Sequence, residues 1–134
     1  MLGISSREIQ QDRLAAARAL ARRTRAVVLL KGASSLVATR EGRVTANPTG
    51  TPLMSTAGSG DVLAGSIGAL LAGGMDPEPA TIVATYLHGA AGERLAETLG
   101  DAGLLAGELA DSLPLVRAAL VGIPPGRERE TGDD

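Results

Sequence analysis

At residues 47–74 the sequence reads NPTGTPLMSTAGSGDVLAGSIGALLAGG, where a glycine- and serine-rich turn leads one acid, Asp61, into an apolar run. The prolines, glycines and hydroxyl residues up to position 60 exclude a long regular element and predict a loop. The residues after Asp61 are apolar or small on every side, which predicts a helix that is buried all round. An interior glycine costs a helix about 1 kcal/mol relative to alanine, so Gly65 and Gly68 predict tight contact with a neighbouring element.

Short strands are predicted on the N-terminal side of this stretch. The run AVVLLKG at residues 26–32 is apolar and β-branched, which is typical of a strand buried on both faces of an α/β sheet and ending at Lys31. Two further strands, at residues 36–39 and 43–46, flank a turn at Glu41-Gly42 and predict a hairpin.

Helices are predicted on both sides of these elements, from hydrophobic periodicity and from start and stop residues. The segments are residues 6–23 with Ser5 or Ser6 as N-cap, residues 78–99 stopped by Gly100, and residues 106–120. In the last of these, Pro114 either interrupts the helix or opens a final helical segment at Leu115. The tail at residues 121–134 contains PPGRERETGDD, which is almost free of apolar residues and predicts a flexible polar end.

Composition narrows the class of protein. The chain has 134 residues, of which 44% are hydrophobic, so one domain with a buried core is expected even though Trp and Phe are absent. A net charge of -2 gives no basic field for nucleic acid, and with no Cys and one His a thiolate or multi-histidine metal site is excluded. No stretch has the ~18 uninterrupted apolar residues of a membrane span. We expect a cytoplasmic protein without nucleic-acid or membrane partners.

The loop before Asp61 has two interpretations from the residues alone. Free backbone N–H groups of STAGSGD at the positive end of a helix suit an anionic oxygen or a phosphate, and Asp61 would then take the proton from an attacking hydroxyl. Alternatively, Ser59 is an ordinary N-cap and Asp61 compensates the helix dipole. Lys31 is either a phosphate ligand or the polar end of a strand, and Ser34 and Ser35 either contact a ligand or cap a turn.

Four ordered motifs resemble those of one enzyme family. LLKGASSLVA, the 47–74 stretch, YLHGAAG and GLLAGELADSLP are similar to segments of the ADP/ATP-dependent NAD(P)H-hydrate dehydratases, which belong to the ribokinase-like superfamily. The resemblance implies a ribokinase-like three-layer α/β sandwich, with residues 1–120 matching the C-terminal half of the domain as a partial sheet with packed helices. The half that supplies most of the central sheet has no counterpart, so the chain is expected to be either a fragment or a polypeptide that is completed by a homo-oligomer or by another chain.

The resemblance also implies a reaction and its residues. ADP or ATP, with Mg²⁺, would phosphorylate the C6 hydroxyl of (S)-NAD(P)H hydrate, and loss of phosphate would restore NAD(P)H. Asp61 would be the catalytic base and a substrate contact, with Mg²⁺ arriving on the nucleotide and no dedicated metal ligand in the protein. The implied nucleotide contacts are Lys31, Gly32, Ala33, Ser34, Ser35, Gly58, Ser59 and Gly60, and the N–H groups of residues 57–60 would stabilise the transferred phosphoryl group.

Some features depart from the family or leave alternatives open. Ala57-Gly58-Ser59-Gly60-Asp61 stands where the family has Gly-Gly-Thr-Gly-Asp, and the alanine is acceptable only with φ below zero. The lone His88 in an Ala-rich helix is expected to be a packed or surface residue rather than a catalytic one. A vitamin-precursor kinase of the hydroxymethylpyrimidine or hydroxyethylthiazole type and a non-catalytic nucleotide-binding fragment are the competing functions.

Overall fold

The computed structural model describes residues 5–122, and its N-terminal end is a pair of helices. Helix α1 spans Ser6–Gln11 and helix α2 spans Arg13–Thr24. Ser5 caps α1 through a reciprocal hydrogen-bond pair with Glu8, which confirms one of the two expected caps. The prediction of one continuous helix over residues 6–23 is wrong, because Asp12 leaves helical geometry at φ -144° and its carboxylate accepts the Ala15 N–H, capping α2.

A three-stranded antiparallel sheet follows, in the order β1-β2-β3. Its strands are β1 (Val28–Leu30), β2 (Leu36–Ala38) and β3 (Val44–Ala46). The hairpin of β2 and β3 is confirmed, with Gly42 at φ 93° in its turn. The prediction that the first strand is buried on both faces is wrong: within the described residues β1 pairs only with β2, and all three of its residues are half-buried.

The sheet lies between helices, because successive side chains of a strand point to opposite faces. Leu36 and Ala38 pack with Ala17 and Ala21 of α2 on one face. Val37, on the other face, lines a small cavity together with side chains of the long helix α4 (Pro77–Leu99). The described residues thus form helix, sheet and helix layers.

The C-terminal part of the fold is helical. A 3₁₀ turn at Pro52–Met54 is followed by α3 (Ser59–Ala72), α4 and α5 (Ala106–Leu120). The core between them is formed by small and branched aliphatic side chains: Leu53, Ala91, Leu104, Leu109 and Val116. The helices predicted at residues 78–99 and 106–120 are confirmed, and Pro114 lies inside α5 without ending it.

Helix α3 is less covered than the sequence predicts. Of its residues only Ser59 and Leu63 are buried, and a Cβ added to Gly65 or Gly68 would meet nothing within 4 Å. The predictions of a helix buried all round and of tight contacts at both glycines are therefore wrong for the described residues. The reason is that α3 packs on α4 and α5 along one side, while no described residue covers the glycines on its other side.

The end of the chain is described only to Gly122, where residues 121 and 122 form a turn after α5. The remaining part of the predicted flexible tail, residues 123–134, lies outside the described residues. None of the helices in residues 5–122 combines the length and the apolar character needed to cross a membrane.

Candidate functional site

A cleft of about 810 Å³ opens where two loops meet the start of a helix. The loops are residues 31–35 after β1 and residues 47–56 after β3, the helix start is that of α3, and α4 forms the floor. The lining residues are Lys31, Gly32, Ala33, Ser34, Ser35, Asn47, Pro48, Thr49, Gly50, Thr51, Pro52, Met54, Ser55, Thr56, Ser59, Gly60, Leu63, Thr85, His88 and Gly89.

The loop at residues 31–35 has an unusual backbone that α2 holds in place. Gly32 has φ 146° and Ser34 has φ 53°, a left-handed conformation that costs a non-glycine residue about 1 kcal/mol. The guanidinium of Arg13 donates hydrogen bonds to the carbonyls of Leu30, Lys31 and Ala33. A Cβ on Gly32 would lie 2.8 Å from that guanidinium, so the glycine makes room for it.

The loop at residues 47–56 is fixed to α4 by hydrogen bonds and by close approach. The Thr49 hydroxyl donates to the Tyr86 carbonyl at 2.9 Å, and the Gly50 N–H donates to the Glu93 carboxylate at 2.9 Å. A Cβ on Gly89 would lie 2.7 Å from the carbonyl carbon of Thr49, so only glycine allows this approach. This wall of the cleft is therefore rigidly attached to α4.

The start of α3 presents backbone N–H groups, but not all of those that the sequence predicts. Gly58, at φ 85°, is the N-cap, so the interpretation of Ser59 as an ordinary N-cap is wrong. Ala57 is not among the residues with positive φ, which meets the condition that its substitution for glycine requires. The Ser59 N–H donates to the Thr56 carbonyl at 3.3 Å, whereas within residues 5–122 the Gly60 N–H has no hydrogen-bond partner.

Lys31 lies against this helix start. A Cβ on Gly60 would be 2.5 Å from the Lys31 Nζ, so the ammonium group occupies the space beside the Gly60 backbone. Lys31 is the single lysine of the sequence. An ammonium group and an unpaired N–H at the positive end of a helix together favour an anion.

His88 supports the same helix start from the floor of the cleft. It is 6% exposed, and its Nε2 lies 2.9 Å from the Ser59 carbonyl oxygen and 3.4 Å from the Ser59 hydroxyl. Because a carbonyl oxygen can only accept, Nε2 carries the hydrogen and donates it. Burial lowers the pKa of His88 below its usual value, the Ser59 hydrogen bond opposes this, and the nearby Lys31 charge lowers it further, so the ring is neutral at pH 7.

The structure brings most of the sequence-predicted site residues together. Residues 31–35, Ser59 and Gly60 line one cleft. Gly58 and Asp61 lie next to it without lining it, and Asp61 is exposed on the first turn of α3. The roles assigned to these residues stay predictions.

Sequence reasoning missed Arg13, Thr49 and the location of His88. Arg13 looks like any arginine on an amphipathic helix, and its contact to Ala33 spans 20 residues. His88 did carry a signal, as the sole histidine of the sequence, but its partner Ser59 is 29 residues away. Contacts over such separations leave no local pattern.

Comparison with known families identifies a relationship along nearly the whole chain. The sequence model of a family described as NAD(P)H-hydrate dehydratase matches residues 1–115. A bifunctional NAD(P)H-hydrate repair enzyme from Moorella thermoacetica is 48% identical over 116 residues, which are 87% of this chain and 22% of that protein. An ADP-dependent (S)-NAD(P)H-hydrate dehydratase from Neisseria meningitidis is 42% identical over 118 residues, 87% of this chain and 40% of that protein.

A solved structure gives the same relationship in three dimensions. The ADP/ATP-dependent NAD(P)H-hydrate dehydratase from Bacillus subtilis, co-crystallised with ATP and Mg²⁺, superposes with a TM-score of 0.85 at 36% identity. The match covers 89% of this chain and 43% of that one, so the chain spans less than half the length of these relatives. The predicted fold class, a partial ribokinase-like α/β sandwich, is confirmed.

Proposed function

Since this chain belongs to the NAD(P)H-hydrate dehydratase family, we propose that its cleft takes part in the nucleotide-dependent dehydration of (S)-NAD(P)H hydrate to NAD(P)H. The observation that carries the proposal is the meeting of the Lys31 ammonium with the Gly60 backbone at the start of α3, inside the cleft. These groups come from loops that are far apart in sequence, and they create a place for phosphate oxygens.

The cleft suits ADP or ATP in size and in charge. Its volume of about 810 Å³ lies within the usual range of small-molecule sites. Residues 32–35 would contact the nucleotide, and the Lys31 ammonium together with the Gly60 N–H would bind its phosphates. In residues 5–122 no group of three or more metal-ligating side chains occurs, so Mg²⁺ would be bound mainly by phosphate and water.

Asp61 has the freedom that a catalytic base requires. It is exposed, and it makes no ion pair with any residue in the described part of the chain. The nucleotide supplies the phosphoryl group. Asp61 would take the proton of the C6 hydroxyl as the new oxygen–phosphorus bond forms and the bond between that phosphorus and the nucleotide oxygen breaks. Phosphate would then leave with the C6 oxygen and the C5 proton would pass to water, which restores the double bond between C5 and C6 of NAD(P)H.

The test is recovery of the reduced-nicotinamide absorbance from (S)-NADH hydrate with Mg²⁺ and either ADP or ATP. We expect the wild-type chain to restore the absorbance and Asp61→Asn to slow it by about a thousandfold, since general-base groups contribute on this order. Asp76→Asn is the matched control, because Asp76 is also an exposed acid at a helix start but lies outside the cleft. Equal rates in wild type and Asp61→Asn would contradict the proposal.

A second candidate is a nucleotide-binding chain without catalysis. The observation in its favour is that Asp61 is not among the cleft-lining residues, whereas Lys31 and Gly60 are. In this case ADP would raise the melting temperature of the chain while the absorbance assay gives no product. Product formation that depends on Asp61 would exclude it.

We also propose that the glycine face of α3 packs against a second polypeptide, either another copy of this chain or a different chain. Gly65 and Gly68 have no neighbour within 4 Å of an added Cβ, and Leu71 on the same helix is 41% exposed. Exposed apolar surface of this kind is typical of an interface. Sedimentation velocity of the purified chain tests self-association through this face. Wild type should form oligomers and Gly68→Glu should not, whereas a monomeric wild type would contradict self-association.

A further inference from the structure

The peptide unit between Ser59 and Gly60 is held on one side and unpaired on the other. Its carbonyl oxygen accepts the hydrogen bond from His88 Nε2 at 2.9 Å. Its N–H, that of Gly60, has no partner among residues 5–122. The two groups belong to one rigid plane, so whatever orients the carbonyl also orients the N–H.

The geometry of a trans peptide fixes the direction of that N–H. Carbonyl and N–H point in opposite directions across the plane, and in a first helical turn the N–H points out of the N-terminal end. Because the Ser59 carbonyl accepts the hydrogen bond from the ring of His88, the Gly60 N–H on the opposite side of the same peptide plane is directed away from that ring. The Lys31 ammonium lies beside the same glycine.

We propose that His88 is a positioning residue that aims the Gly60 N–H at a phosphate oxygen of the bound nucleotide. The inference rests on the proposed function, since it assumes that a nucleotide phosphate binds between Lys31 and Gly60. His88 acts through the Ser59 carbonyl.

Two features of His88 suit this task. It is 6% exposed, so its hydrogen bond to Ser59 faces little competition from water and is strengthened by the low local dielectric. A hydrogen bond to a carbonyl also polarises the peptide and makes its N–H a better donor. The Ser59 hydroxyl, 3.4 Å from Nε2, is the only other group that the ring approaches closely enough to bond in the described residues.

The experiment is an ADP titration of ¹⁵N-labelled protein followed by the amide spectrum. Variants are His88→Leu, which removes the donor, His88→Gln, whose side-chain N–H₂ retains one, and Thr81→Val as a buried control on α4 outside the cleft. We expect about tenfold weaker ADP binding and a much smaller ADP-induced shift of the Gly60 amide in His88→Leu. His88→Gln should recover most of both, and Thr81→Val should match wild type.

The outcomes separate this inference from the proposed function. If folded His88→Leu binds ADP within twofold of wild type and its Gly60 amide responds equally, the positioning role is overturned while the nucleotide site stands. If wild type shows no ADP-dependent shift at Gly60, the nucleotide site and the positioning role both fail. If ADP binds as expected but no dehydration occurs, the dehydratase proposal alone fails.

A second measurement decides the case in which His88→Leu does not fold. The ring nitrogens of His88 in wild-type protein report the tautomer, and the inference requires hydrogen on Nε2 and none on Nδ1, with the ring signals shifting when ADP is added. Hydrogen on Nδ1, or ring signals that do not respond to saturating ADP, would overturn it.

Discussion

Helices α3 and α4 each contain one pair of glycines three residues apart in their interior, but the two pairs lie in opposite surroundings. Gly89 and Gly92 of α4 are buried against the loop at residues 47–56, where Thr49 and Met54 fill the space that a Cβ would need. Gly65 and Gly68 of α3 are exposed, with nothing within 4 Å. Glycines at the same spacing thus allow a loop to pack closely against α4 but leave one face of α3 exposed.

The difference shows that a glycine in a helix is explained by what lies opposite it. On α4 the missing side chains let the loop approach and form one wall of the cleft. On α3 the described residues offer no compensation for the roughly 1 kcal/mol that each glycine costs. Substitution by alanine separates the two situations, because it adds one methyl group to each site.

The largest effect is expected at Gly89. A Cβ there would lie 2.7 Å from the carbonyl carbon of Thr49, and backbone cannot move away as a side-chain end can. We expect Gly89→Ala to lower the free energy of unfolding by about 3 kcal/mol, measured by urea denaturation, and to weaken ADP binding because the cleft wall shifts. A variant as stable as wild type would contradict the close approach of Thr49 to Gly89.

The double substitution Gly65→Ala with Gly68→Ala should act in the opposite direction. Both sites are open and neither glycine has positive φ, so the methyl groups meet no obstacle and the helix gains about 1 kcal/mol at each position. We expect a rise in the free energy of unfolding of about 2 kcal/mol, measured at a concentration where the chain is monomeric. Destabilisation there would mean that something covers this face within a single chain.

Gly92 should give a smaller loss than Gly89. Its added Cβ would meet the Met54 side chain, with Cγ at 2.5 Å, and a flexible methionine can move aside. Part of the remaining cost is offset by the higher helix propensity of alanine, so we expect Gly92→Ala to lose about 1 kcal/mol. In a chain that already carries Met54→Ala, adding Gly92→Ala should cause no further loss of stability. A loss that persists in this double variant would contradict the contact between Gly92 and Met54.

The smallest expected effect is a dependence of the free energy of unfolding on pH, caused by His88 on the buried side of α4. Burial lowers the pKa of His88 in the folded chain, so as pH falls through about 6.5 the unfolded chain takes up the proton first and the free energy of unfolding decreases. The decrease in the free energy of unfolding stops once His88 is also protonated in the folded chain. For one proton, the free energy of unfolding cannot change by more than about 1.4 kcal/mol per pH unit. Urea denaturation between pH 7.5 and 5.5 should show a flatter profile in His88→Gln; equal slopes would contradict it.

Local signals explain what the sequence could predict. The hairpin has its glycine in the turn, helix α4 ends where Gly100 adopts φ 78°, and Ser5 with Glu8 forms a capping box. Each of these depends on residues within a few positions of one another. The prediction that residues 31–35 and 58–60 belong to one site rests on the family resemblance, because no local rule joins segments so far apart.

The remaining features depend on contacts over long separations or on what covers a surface. At Asp12 the helix could either continue or end with the Asp12 side chain capping the next helix. Hydrophobic periodicity does not distinguish these two possibilities. The exposure of α3 follows from the arrangement of its neighbours, not from its own apolar composition. Likewise, the contacts of Arg13 with Ala33 and of His88 with Ser59 exist only once the chain has folded.

Phosphate binding between Lys31 and Gly60 is tested most directly by calorimetric titration of ADP and Mg²⁺ into the wild-type chain and into Lys31→Met. Removing an ammonium that contacts phosphate should weaken binding at least about tenfold, whereas Arg23→Met, which removes an exposed cation at the end of α2, should leave it unchanged. This result would place the phosphates between Lys31 and Gly60. Absence of binding by wild type, or equal affinity in Lys31→Met, would contradict a phosphate site between Lys31 and Gly60.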